Sequence, residues 1–228
     1  MRRLFVRLAL MAGLIALTGC ASVPFMPLAE SNANADATPP LYLMTVEVKN
    51  TFKESWQPKI LNITLAKTVE GGKIETRVYR MDDKGVVPAS TAGGTTKYLV
   101  RLRADDSFRF VVGMNAMASS FPFHGFYYVP LNATLEDDAP GVYYLGSVQA
   151  TIRERKDNEF RAGPVIPLID QAVTGASTGT FDITIADEYE KDLQLFKTAF
   201  PVLTGATVTK KLLPPWDRSK AQLAWEKN

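Results

Sequence analysis

From Leu41 the chain alternates between apolar and polar positions. Tyr42, Met44, Val46 and Val48 alternate with Thr45, Glu47 and Lys49. Residues 60–65 and 74–79 repeat the pattern on either side of Gly71-Gly72. Tyr98, Val100 and Leu102 follow, and after the acidic turn Ala104-Asp105-Asp106-Ser107 come Phe108, Phe110 and Val112. Residues 142–153 form a long strand candidate with Tyr144, Val148 and Ile152 in phase. Phe181, Ile183 and Ile185 make another, and residues 207–212 a last one. Side chains two apart share one face of a strand, so this period predicts half-buried strands. Many strands joined by turns predict an all-β fold, mainly an antiparallel β-sandwich. Strands do not alternate with helices, which excludes a doubly wound α/β fold.

One segment breaks the period. Tyr189, Leu193, Phe196 and Phe200 recur at helical spacing, Asp187 and Glu190 suit a capping box, and Pro201 stops the run. This predicts one covering α-helix near 187–200, its apolar stripe laid on the sandwich. The tail, residues 214–228, is polar apart from Trp216 and Trp225 and is set apart from a domain spanning 41–213.

The N-terminus follows a different logic. Arg2, Arg3 and Arg7 precede ten uncharged residues, 8–17, and then Thr18-Gly19-Cys20. Ten helical residues reach about 15 Å, roughly half the hydrocarbon thickness of a bilayer. That suits the core of a secretory signal and is too short for a stable span. Residues 21–40 carry Pro24, Pro27, Pro39 and Pro40 and no periodicity, which predicts a flexible tether. Its root-mean-square span would be about 25 Å.

Leu17-Thr18-Gly19-Cys20 resembles the lipobox of bacterial lipoproteins. The resemblance implies a signal peptide over 1–19, cleavage before Cys20 and acylation of that cysteine. Ala21, where the family's inner-membrane retention signal would place Asp, implies the outer membrane, facing the periplasm or the cell surface. Each buried CH₂ contributes about 0.8 kcal/mol and stable anchoring takes more than one chain, which diacylation supplies. Residues 140–146 and the pattern Asp192-Leu193…Phe196…Phe200-Pro201 are similar to uncharacterised envelope lipoproteins with small β-sandwich ectodomains. That likeness implies no reaction.

Composition sharpens this picture. The chain has 228 residues, a net charge of +2 and a single cysteine, so no internal disulfide forms. Loss of Arg2, Arg3 and Arg7 with the signal turns the charge to −1. Neither value suits a nucleic-acid binder. The expected partners are therefore the membrane, through Cys20, and an envelope protein or peptidoglycan.

Candidate chemistry is sparse. Gly175-Ala176-Ser177-Thr178-Gly179 matches G-x-S-x-G, but a strand rather than a helix is expected after it. The sole histidine, His124, precedes Ser177, so a triad would need the order His124, Asp137 or Asp138, Ser177. A loop of small residues is the plainer reading. Met114, Met117 and His124 could offer soft ligands to Cu(I), though methionine in a strand-rich chain usually fills core. The aromatic run from Phe121 to Tyr128 reads as core in preference to a binding patch. Asp82-Asp83 and Asp105-Asp106 read as solvated hairpin tips, without calcium-loop spacing. No cofactor motif is present, and the expectation is a non-catalytic binding or scaffolding domain with Cys20 as its one modified residue.

Overall fold

The computed structural model describes residues 40–80, 86–92, 94–103, 108–136, 138–166 and 171–227. Cys20, the signal segment and the tether as far as residue 39 lie outside the described residues, as do Asp82, Asp83, Asp105, Asp106 and Asp137. Ten strands form two sheets. They are β1 (Leu41–Asn50), β2 (Lys59–Thr68), β3 (Ile74–Arg80), β4 (Val86–Ala92) and β5 (Thr95–Arg103), then β6 (Phe110–Ser120), β7 (Phe123–Thr134), β8 (Val142–Glu154), β9 (Gly179–Ala186) and β10 (Val208–Lys210). The larger sheet runs β10-β8-β1-β5-β4, with β9 also paired to β8, and the smaller runs β3-β2-β6-β7. Pairing is antiparallel except where β8 meets β1 and β10. The protein is an all-β sandwich, as the strand period predicts.

Its central strand, β1, is buried on both faces, which explains the unbroken apolar run Leu41-Tyr42-Leu43-Met44. Tyr42, Met44, Val46 and Val48 face the second sheet and pack with Ile63, Leu65, Met114, Tyr127 and Val129. Leu41 and Leu43 face the other way, into a second core with Leu99, Tyr144 and Phe196. Each large apolar side chain buried this way contributes about 1.5–3 kcal/mol. That second core lies under helix α1 (Tyr189–Ala199), whose Phe196 and adjoining Phe200 are buried. The predicted stripe is therefore correct. Asp187 stands one residue before the N-cap, Glu188, and accepts the Tyr189 N–H at 3.2 Å.

Two local features depart from the sequence pattern. Along β8, Tyr144 faces the helix whereas Val148 and Ile152 face the sandwich core. A bulge separates them: the register against β1 shifts between Leu43 and Met44, opposite Gly146 at φ +112°. An extra residue inverts the alternation beyond it. Gly146 is required there, because a Cβ would also sit 2.9 Å from Ile185 Cγ2. The second departure is the tail, which forms a further helix, α2 (Arg218–Glu226). Asp217 caps it by accepting the Ser219 N–H at 2.9 Å. No described helix is long and apolar enough to cross a membrane.

Candidate functional site

Among the described residues, those singled out for catalysis each hydrogen-bond to other groups. His124 lies exposed near the start of β7, and its Nδ1 is 2.7 Å from Ser119 Oγ across the β6–β7 hairpin. Ser177 sits in the turn before β9, where its N–H is directed at Gln171 O and its carbonyl accepts from Arg161. A strand follows it, as expected, so the nucleophile-elbow geometry is not formed. No hydrogen bond joins His124 to Ser177 among the described residues. Asp138 is engaged elsewhere, by the Tyr42 hydroxyl at 3.0 Å and by Lys211. The methionines separate as well. Met114 is fully buried in the core, whereas Met117, three residues along the same strand, is on the opposite face.

The aromatic run divides. Tyr127 is buried, its hydroxyl donating to Thr174 O at 2.7 Å, while Phe121 is 94% exposed and Phe123 and Phe126 are also exposed. The core expectation holds for Tyr127 and fails at the hairpin tip. Phe126 lies on the face of β7 opposite Tyr127, as alternation requires, and Phe121 stands in the turn outside both strands.

Beneath α1 lies a buried polar network. Asp192, 0% exposed, accepts from the hydroxyls of Thr45 and Tyr144 on Oδ2, each at 2.7 Å. Lys97 Nζ stands 2.8 Å from Asp192 Oδ1 and 2.7 Å from Glu188 Oε2. Burial lowers the Lys97 pKa, but its bonds to both carboxylates outweigh that and hold it above the ordinary value. Lys97 in turn holds Glu188 below the usual carboxylate range. This network ties helix to sheet.

Beneath α2 the arrangement differs. Residues of β7 that alternate with the buried Tyr127 and Val129 line the outer face of the smaller sheet, and α2 packs across them. Trp216 Nε1 donates to Pro130 O at 2.7 Å, and Gln222 Oε1 accepts the Phe160 N–H at 2.8 Å. Arg218 fastens the helix start, donating to Phe181 O and Asp182 Oδ1, each at 2.7 Å. Between helix and sheet remains a cleft of about 220 Å³. Tyr128, Phe160 and Trp225 wall it, with Val112, Pro130, Ala221 and Ala224. The Tyr128 ring lies on Gly113, where a Cβ would come within 2.9 Å of the phenol oxygen, and burial pushes its phenol up to about 12.

The cleft's remaining polar lining is Asn132 and Arg161. Asn132 occupies a register shift between β6 and β7 at φ +51°, a conformation asparagine tolerates. Its Nδ2 is buried and has no hydrogen-bond partner among the described residues. Arg161 gives one N–H to Ser177 O, and beside the cleft Arg155 gives one to Glu159 O. The Arg155 guanidinium also lies 5.7 Å from the Trp225 ring centroid. Neither arginine has a carboxylate partner among the described residues. Their neighbours do: Arg153 pairs with Glu159 at 2.6 Å and Asp182 at 2.8 Å, and Arg218 pairs with Asp182 at 2.7 Å. No group of three or more His, Cys, Asp and Glu able to hold a metal is found among the described residues.

Comparisons with protein-family models, with curated proteins and with solved structures find no match. The cleft was not foreseen from the sequence, because its walls come from β6, β7, residues 160–161 and α2. One signal was available: Asp217 precedes eight residues without Gly or Pro, ending in Trp225, which is a capped helix start.

Proposed function

We propose that this chain is a lipid-anchored protein of the bacterial cell envelope, held in the outer membrane by acyl chains on Cys20, and that its β-sandwich is a non-catalytic binding domain. The anchor rests on the lipobox resemblance of Leu17-Thr18-Gly19-Cys20. The binding reading is carried by one observation, the aromatic-walled cleft beneath α2. Burial pushes the Tyr128 phenol up to about 12, and no Asp, Glu or His lines the cleft among the described residues. Such a site holds a ligand without a general base to transform it.

Orientation supports attachment at one pole and engagement at the other. Tyr42, at the start of β1 where the tether arrives, donates to Glu136 O just past the end of β7. Asn50, at the other end of β1, donates to Thr174 O, which also accepts the Tyr127 hydroxyl near the hairpin. The aromatic hairpin therefore points away from the anchored end, toward a partner such as another envelope protein or peptidoglycan. The test of the anchor is metabolic labelling with a fatty-acid probe followed by membrane fractionation. Labelling of the native chain in the outer membrane and its loss in Cys20→Ser is the expected result. Equal labelling of both, or none of either, would refute the anchor.

A further inference from the structure

We propose that the cleft beneath α2 is a binding site for a small organic anion, a carboxylate carried on a planar apolar body. This inference rests on the reading of the domain as a binding module and adds the chemical class of its ligand. Three observations converge on it. The walls are aromatic: Tyr128, Phe160 and Trp225 present ring surface to a cavity of about 220 Å³. At about 30 Å³ per water that is roughly seven water volumes, which suits a single substituted ring. Sites of this type place few polar groups on a largely apolar surface.

The polar lining favours donors. The guanidinium of Arg161 only donates, and the Tyr128 hydroxyl can donate as well as accept. An acceptor-rich head group is their natural complement. Charge selects among acceptors. Arg153 and Arg218 have their charge answered by Glu159 and Asp182, yet Arg155 and Arg161 carry positive charge to the cleft and its rim with no carboxylate partner among the described residues. Guanidinium binds planar carboxylate through paired N–H groups, and such charge-assisted bonds are the strong ones.

The mature chain in lipid nanodiscs, titrated calorimetrically with benzoate, phenylacetate and the neutral isostere benzamide, tests this. Saturable binding of the carboxylates below about 1 mM, with benzamide at least about tenfold weaker, is the expected result. Arg161→Gln should weaken benzoate about ten- to hundredfold and leave benzamide unchanged. Because Arg161 also bonds Ser177 O, Arg155→Gln provides a second variant with that contact intact, and it should weaken benzoate in the same direction. Asn132→Asp, which places a negative charge in the cleft wall, should abolish carboxylate binding. Equal binding of benzamide and benzoate would overturn the anion assignment and leave the binding-module reading standing. No saturable binding by any probe would overturn both.

Discussion

Each sheet of this sandwich is covered by a helix, and the two covers are built on opposite principles. Under α1, Asp192 gathers two hydroxyls and the Lys97 ammonium, so the buried charges compensate one another inside the interface. Under α2, Ala221 is the helix's one buried residue, Trp225 is 38% exposed, and the cleft retains an amide and a guanidinium without acidic partners among the described residues. The contrast extends to two asparagines. Asn50 Nδ2 donates to Trp56 O at 3.1 Å and Thr174 O at 3.0 Å, whereas Asn132 Nδ2 has no acceptor among the described residues. A matched buried network is a clamp; an unmatched one beside open volume is a site.

The largest effect should come from breaking the clamp. Asp192→Ala strips Lys97 of one counter-charge and leaves the Thr45 and Tyr144 hydroxyls without their acceptor. It should destabilise the domain by about 3–5 kcal/mol in urea denaturation. Trp225→Ala, on the other cover, should cost less than about 1 kcal/mol in the same assay. Equal losses would erase the distinction between the covers.

Next in size is Gly146→Ala. Its φ of +112° and the 2.9 Å approach of Ile185 Cγ2 penalise any side chain, and the bulge is what turns Tyr144 toward Asp192. A loss of about 2 kcal/mol or more is expected, read from the urea midpoint.

The covers should also separate by pH. Lys97 is raised above 10.5 in the folded state, so its contribution is complete below that value and fades as pH rises through the folded pKa. The fastening of α2 has a different limb. It has an acidic one: the hydrogen bond from Arg153 is the main cause pulling Glu159 down to about 2. That stabilisation is complete above about 4.5 and is lost as pH falls toward 2. Near-UV tyrosine dichroism around Tyr144 and Tyr189 should change in alkali before Trp216 and Trp225 fluorescence does. The reverse order would contradict the assignment.

The smallest effect is expected at the hairpin. Phe121→Ser removes a ring that packs against little, and stability should stay within about 0.5 kcal/mol.

Much of this architecture was legible in the sequence because alternation is a local property. Tyr42, Met44, Val46 and Val48 face one core as their spacing requires, and Phe196 and Phe200 lie on the predicted helical stripe. Phase across the β8 bulge was not legible, since Tyr144 and Val148 are in register on paper and a glycine reverses them in space. The tail helix escaped notice because it buries only Ala221, leaving almost no apolar stripe. The cleft was less legible still. Nothing in the chain order links Asn132 to Trp225 or Arg161, which meet it only after folding.

Backbone amide NMR of the mature chain during a benzoate titration tests the central contrast most directly. The account predicts saturable shifts clustered at Tyr128, Asn132, Arg161 and Trp225, with residues 189–199 of α1 unmoved. Shifts centred on α1, or scattered over both covers without saturation, would contradict it.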